Sequence, residues 1–336
     1  MINKKTKFCK AAALLGAAVM MISALAGCGK NTKVVLTAGL KKNEVFRISS
    51  ASCVLPEVMV YLTNMQNQYE SVYGSQIWNA SDGQLSLEQE EREQVLTQLA
   101  RIKVMNLLAQ KKEVTLDDKE KERAAAAGRE YFTSLNSAEV TALNVTQDLI
   151  TKMYEEYALA EKVYQTIVEN VNPEVSDDEA RTITVDMIRV SDSAKASQVL
   201  GKAKEEGVDF ETLAQAESED QTVMQSFGKG EVSEALEKAA FNHGKDEISD
   251  VVESDGSYYI LKCISTFDEA QTKANKEKIV KQRQSEAFDT EYTAFEQTLV
   301  RQLNEELWDS VTMIHQDDVK TSSFFEVYQM YFQHQE

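Results

Sequence analysis

Two sets of residues in this 336-residue chain have types and spacing that could do chemistry, one covalent and one not. The covalent candidate is Cys28, a thiol placed directly after Leu25, Ala26 and Gly27. It ends an apolar stretch over residues 11–26, which Lys4, Lys5, Lys7 and Lys10 precede. The stretch is too short and too poor in large apolar side chains for a comfortable membrane span. With its basic start it reads, over residues 1–27, as an export signal. The non-covalent candidate lies within residues 181–264. There Asp209, Phe210, Leu213 and Ala214 are followed by Phe227, Gly228, Lys229 and Gly230, then Ala239, Ala240 and Phe241, then Glu247, Ile248, Ser249 and Asp250. Of the other thiols, Cys9 leaves with the signal. Cys53 and Cys263 are expected to be free and buried, because they fall in different domains and exported proteins that depend on disulfides usually carry more pairs.

The elements that must position these residues are mostly helices. Only 2 prolines and 13 glycines are present, which argues for long helices over a loop-rich sandwich. Residues 34–36 and 45–48 read as short strands. A helix starting near Pro56, a residue suited to the first turn, carries Val58, Leu62, Met65, Tyr69 and Val72 at helical spacing. A second stripe, Val95, Leu99, Ile102, Met105 and Leu108, lies within residues 87–112. A third helix begins near Asp117, whose spacing to Glu120 is that of a capping box, and contains the small residues 124–127 that permit close helix crossing. Met153, Tyr157, Ala160, Tyr164 and Ile167 mark a fourth. Pro173, in the polar stretch 170–178, marks a domain boundary. Beyond it the pattern predicts a strand over 183–190 and helices over 194–206, 210–217 and 234–241. Strands over 251–253 and 258–264 follow, joined across Asp255 and Gly256, a strong hairpin signal. Phe288, Tyr292, Phe295, Leu299 and Leu303 line one face of a later helix, and the N-terminal helices are the simplest partner for that face. Phe324, Phe325, Tyr328, Tyr331 and Phe332 again stand near helical spacing, either docked on the body or presented to clients or wall material.

The chain has 36 basic and 55 acidic residues, net −19, and without residues 1–27 it has 32 against 55, net −23. Such a chain binds nucleic acid poorly and is repelled by anionic lipid. Met59, Tyr61, Met65, Tyr69 and Tyr73 alternate with Asn64, Gln66, Asn67 and Gln68, giving flexible and amphipathic side chains with little charge. That helix is the expected client-binding surface. The competing reading packs it in the core with an amide-rich outer face.

Residues 25–28 resemble the lipobox of bacterial lipoproteins, which implies that the Cys28 thiol is acylated and becomes the mature N-terminus, with residues 28–33 as a short tether. At about 0.8 kcal/mol per buried methylene, two or more acyl chains hold such a protein on a membrane, here the outward face of a bacterial cell membrane. The ordered motifs of residues 181–264 resemble the parvulin family of peptidyl-prolyl isomerases. The resemblance implies a small antiparallel sheet wrapped by helices. It also implies a reaction without nucleophile, metal or other cofactor, since the barrier of about 18 to 20 kcal/mol comes from amide resonance. An apolar pocket for the proline ring and a water-poor site favour the twisted amide. Family members place one histidine in the first strand, another in the last, and an acidic or cysteine residue between them. Met187 and Tyr259 stand at the histidine positions, and Val223 lies nearest the third. The ring-binding positions match Val232 and Leu236, and Phe241 is kept. His243, His315 and His334 match no strand position and read as surface or loop residues. Two outcomes stay open: the pocket of Met187, Val232, Leu236, Phe241 and Tyr259 still turns prolyl bonds, or the domain has become a scaffold or clamp.

The layout as a whole resembles the exported parvulin-type chaperones, the PrsA-like foldase lipoproteins and SurA. It implies an α+β protein, with a helical SurA-like body built from residues 34–172 and 267–336 and a parvulin-like domain over 173–266 inserted between them. The implied function is a membrane-anchored extracytoplasmic foldase or chaperone for unfolded or newly exported polypeptides, with weak or lost isomerase activity and no nucleic-acid partner. The oligomeric state stays open, a dimer included. A solute-binding lipoprotein of a transport system is the alternative, and a wall-associated lipoprotein a third reading.

Overall fold

The computed structural model describes residues 39–80 and 86–333; the export signal, Cys28 and its tether, the strand expected over 34–36 and His334 lie outside them. The chain divides into two compact units, Met1–Asn170 with Ser285–Glu336, and Val171–Gln284.

The first unit opens on β1 (Glu44–Ile48) and β2 (Ala51–Val54), then α1 (Leu55–Tyr73), α2 (Leu87–Lys111), α3 (Asp118–Ser134), α4 (Ser137–Leu143) and α5 (Gln147–Val168). Pro56 occupies the first turn of α1. Capping boxes start α2 at Ser86 and Gln89, α3 at Asp117 and Glu120, and α4 at Asn136 and Glu139. In each, the cap side chain and the third helical residue satisfy one another's backbone N–H, so the helix starts are written locally. The seven-residue α4 escapes periodicity because it spans only two turns. The small face of α3 is real: Ala124 and Ala127 are buried, and a Cβ added to Gly128 would lie 2.9 Å from Thr151 Cα on α5. Val58, Leu62, Val95, Leu108, Ile150 and Val163 close the core between these helices.

The second unit contains α6 (Asp177–Ala180), β3 (Thr182–Val190), α7 (Ser193–Ala203), α8 (Phe210–Glu217), β4 (Met224–Gly228), α9 (Glu234–Phe241), β5 (Val252–Ser254), β6 (Ser257–Ser265) and the beginning of α10 (Glu269–Glu296). Its sheet is antiparallel in the order β4-β3-β6-β5. Asp255 and Gly256 both have positive φ, 51° and 73°, the backbone a two-residue hairpin requires. The strand β4 is not visible in the sequence, because Met224, Gln225 and Ser226 pair at an edge and bury little. Each face of the sheet carries its own core. One is built on Ile188, Val190, Val199, Phe210 and Ile260, the other on Ile183, Val185, Met187, Phe227, Leu236 and Leu261.

From Ser285 onward α10 counts with the first unit, and there Phe288 and Tyr292 are buried. The unit boundary therefore lies at Gln284, eighteen residues beyond the position expected from the sequence. The long apolar face also ends early. The helix stops at Glu296, and Leu303 belongs to β7 (Arg301–Leu303), which pairs with β1 in the sheet order β2-β1-β7. The free edge of β1 explains the change, since Ser49 N donates to Val300 O and Asn304 N to Val45 O, each at 2.8 Å. Short α11 (Glu305–Asp309) follows, then a stretch without helix or strand, then α12 (Phe324–Phe332), whose Phe324, Val327 and Tyr328 are buried in the core of the first unit.

Candidate functional site

The site is set out by strand alternation. Met187 lies opposite Leu261, and Arg189 opposite Tyr259, across β3 and β6, while Val252 of β5 lies opposite Tyr259 on its other side. Successive side chains point to opposite faces, so Met187, Arg189, Tyr259 and Leu261 share one face of the sheet. Ser233 caps α9 by accepting from Leu236 N, which sets the helix across that face and brings Leu236, Ala240 and Phe241 to it. All five pocket residues expected from the sequence, Met187, Val232, Leu236, Phe241 and Tyr259, fall in this one cluster. Met187 and Leu236 are its buried floor, 6% and 8% exposed, and the other three are half-buried at its edge. The Phe227 and Phe241 rings meet at 6.4 Å, and the Arg181 guanidinium stands 4.9 Å from the Phe241 centroid, holding that ring by cation–π attraction.

Val223 does not belong to the site. Its side chain packs with the core on the opposite face of the sheet, and only its carbonyl reaches Met187, accepting from Met187 N at 2.8 Å. The polar group beside the apolar floor is an ion pair instead. Arg189 Nε donates to Asp220 Oδ1 at 2.7 Å, and Arg189 Nη1 lies 3.7 Å from Glu219 Oε2. Ser218 Oγ accepts from the backbone N–H of Arg189 at 3.1 Å and of Asp220 at 3.2 Å, fixing the loop that carries the carboxylate. The hydrogen bond to Asp220 raises the Arg189 pKa further, so the guanidinium is a permanent, oriented donor. Both residues were missed from sequence. The available signal was the two-residue spacing of Met187 and Arg189 on a strand, with the acidic pair Glu219 and Asp220 downstream.

This arrangement can hold an apolar ring against Met187 and Leu236 and present a hydroxyl and a guanidinium at the edge. It offers no activated nucleophile. Cys263 is buried and burial pushes its thiol pKa up, the environment of an inert cysteine. His243 bonds the Ala239 carbonyl at the end of α9, and His315 is exposed in a loop, so neither enters the site. Among the described residues no group of three or more potential metal ligands occurs.

The expected client surface on α1 is largely covered. Tyr61 and Met65 are 1% and 7% exposed, Met59 and Tyr69 pack against the core from its edge, and Tyr73 is exposed at the end of the helix. The reason is the aromatic tail: Tyr61 meets the rings of Phe324 at 5.3 Å and Phe325 at 5.1 Å. Nor do the amides form an outer face, since Asn64, Gln66 and Asn67 are buried.

Residues 145–278 match the family model of the PPIC-type PPIase domain. The chain is similar to the foldase protein PrsA of Streptococcus pneumoniae strains Hungary19A-6 and CGSP14, 30% identical over 165 residues, which is 44% of this chain and 53% of each relative. It thus spans about half the length of the curated relatives it matches. Among solved structures it resembles the PrsA peptidylprolyl isomerase of Bacillus cereus, at 18% identity and TM-score 0.38 over 72% of this chain and 91% of that one. It also resembles the PrsA foldase of Lactococcus lactis, at 14% identity and TM-score 0.35 over 85% and 98%. The sheet with its apolar face and helix α9 lies within the residues that match the PPIC-type PPIase domain model, and over 165 residues the chain is similar to PrsA foldases.

Proposed function

We propose that the protein is a membrane-anchored extracytoplasmic foldase, lipidated at Cys28, that binds unfolded or newly exported polypeptides and whose parvulin unit has weak isomerase activity. The observation that carries this reading is the preserved apolar cluster of Met187, Val232, Leu236, Phe241 and Tyr259 on one face of the sheet. A proline ring gains contact with that cluster, and the Arg189 guanidinium beside Tyr259 is available to the carbonyl of the turning amide. Without a polar network between the two central strand positions, little stabilisation is directed at the twisted amide itself. Binding therefore outlasts catalysis in this unit. Uncatalysed prolyl isomerisation takes tens to hundreds of seconds, so even a modest acceleration serves folding outside the cell.

Cis-to-trans conversion of a short prolyl peptide by the purified protein tests the catalytic part. A small acceleration that falls to the buffer rate in Leu236→Asp supports it; a rate equal to buffer at micromolar wild-type protein leaves only the binding role. Suppression of aggregation of a reduced, unfolded client tests the binding role. Mass measurement of the membrane-extracted protein tests the anchor: a diacylated N-terminal cysteine supports it, and unmodified Cys28 overturns it.

A further inference from the structure

Where β4 ends, the edge of β3 is closed by the loop over residues 218–223, and the bonds of that loop fix the surroundings of Arg189. Met187 N donates to Val223 O and Glu219 N to Arg189 O, each at 2.8 Å, and Ser218 Oγ accepts from Arg189 N at 3.1 Å. Glu219 Oε1 accepts from Ser191 N and Ser191 Oγ, both at 3.1 Å. The loop therefore holds the Asp220 carboxylate in place, and Arg189 Nε donates to its Oδ1 at 2.7 Å. A guanidinium carries five N–H donors. The one on Nε is taken, and the Glu219 carboxylate stays 3.7 Å from Nη1, beyond hydrogen-bond distance. The terminal donors are thus oriented yet available to a guest. Arg189 stands two residues from Met187 on the same face of the strand, about 7 Å along it, and directly opposite Tyr259.

A proline ring on the floor of Met187 and Leu236 brings the imide nitrogen of its own amide within reach of those donors. While the amide is planar, the nitrogen lone pair is delocalised into the carbonyl and accepts no hydrogen bond. At the twisted top of the barrier that resonance is lost and the lone pair sits on nitrogen. A donor to the carbonyl binds the planar amide at least as well as the twisted one, so it contributes affinity alone. A bond to the nitrogen exists only at the top of the barrier and lowers it. The geometry points to Arg189 as the catalytic residue of this unit, donating from a terminal nitrogen to the prolyl imide nitrogen of the twisted amide, with Asp220 and Ser218 as the residues that position it. No proton is transferred, because a guanidinium keeps its proton at any working pH. The hydrogen bond forms as the amide twists and breaks as it flattens. One charge-assisted donor stands in for the polar network that the family resemblance implies, which fits a weak acceleration with Met187 and Tyr259 at the two histidine positions. The assignment rests on the isomerase part of the function proposed above.

Exchange NMR on a blocked, uncharged peptide with a single Ala-Pro bond, added to the full chain, reads the affinity for the peptide and the cis–trans rate in the complex separately. Arg189→Met and Arg189→Gln are each expected to lower that rate at least fivefold and to leave Kd within about twofold. The glutamine keeps an N–H for Asp220, so it carries the test if the methionine loosens the second unit. Asp220→Asn should lower the rate at least threefold in the wild-type background and hardly at all on top of Arg189→Met, as a residue acting only through Arg189 must. Lys273→Gln, which removes an exposed cation from α10, should leave both rate and affinity as in wild type. A folded Arg189 variant that exchanges within twofold of wild type overturns the assignment. A loss of affinity equal to the loss of rate also overturns it, because the guanidinium would then be acting on the carbonyl. An Asp220→Asn effect undiminished in the Arg189→Met background overturns the positioning role. A wild-type protein that accelerates exchange not at all removes the isomerase reading and this assignment with it, whereas an active wild type with equally active Arg189 variants removes the assignment alone.

Discussion

Lys103 of α2 is 1% exposed, with its Nζ 2.8 Å from Glu57 Oε2 and 2.5 Å from Glu156 Oε2. Burial alone would strip its proton, but the two carboxylates outweigh burial and raise its pKa. Removing the cation leaves two acids facing each other in the core, so Lys103→Met is expected to destabilise the first unit by about 3 to 5 kcal/mol, read by denaturant unfolding. Glu91 is the opposite case, a buried carboxyl whose Oε1 has no hydrogen-bond partner. Burial pushes its pKa from 4.5 to about 7. A raised folded value means that its protonated form favours the fold below about pH 4.5, and that this contribution is lost as pH rises through about 7. Glu91→Gln should therefore gain stability over wild type above pH 7, by up to about 3 kcal/mol, and none near pH 4. An equal gain at both pH values would show that packing, not titration, is responsible. At this scale the apolar cluster was legible through the parvulin resemblance, which implies Met187 and Tyr259 at its two histidine positions and Leu236 and Phe241 at its ring-binding positions, and all four fall in one cluster. The Arg189 and Asp220 pair was not, because its partner arrives on a loop thirty-one residues away and nothing local announces the contact.

Helix starts were the most legible elements because their signals are local. Asp117 and Glu120 satisfy each other's backbone within one turn, whatever the rest of the chain does. Ends that depend on distant partners were not: the face running through Leu299 and Leu303 continues a helical period, yet the open edge of β1 captures residues 301–303 as a strand. The α3 and α5 contact shows the same tension in energetic form. Gly128→Ala gains about 1 kcal/mol in helix propensity. Its Cβ, however, would meet Thr151 Oγ1 and lie 2.9 Å from Thr151 Cα, a backbone atom that cannot move alone. Overpacking of this kind costs about 1 to 3 kcal/mol, so the clash wins. A lowered thermal midpoint in Gly128→Ala, partly restored by adding Thr151→Ala, is the expected result, and a raised midpoint would mean that the two helices separate freely.

The two units differ in how their chains close. The second is one continuous run, Val171–Gln284, whereas the first needs residues from both sides of it. Trp308, Val311, Met313, Phe324, Val327 and Tyr328 are all buried in the first unit and all lie beyond residue 300. Among these, large aromatic side chains such as Trp308 and Phe324 are each worth about 3 to 5 kcal/mol in a core, while a whole domain is stable by only about 5 to 15 kcal/mol. A chain ending at residue 299 also leaves the edge of β1 without β7. Such a truncation is expected to abolish the unfolding transition of the first unit and leave that of the second unit in place, so that calorimetry shows one transition where the full chain shows two. Limited proteolysis should then spare residues 171–284 and cut within α1 to α5. Adding the peptide of residues 314–333 in trans cannot restore β7 or Trp308, so it should not rescue the first transition. Two intact transitions in the truncated chain would show that the N-terminal helices form a core without the C-terminal segment.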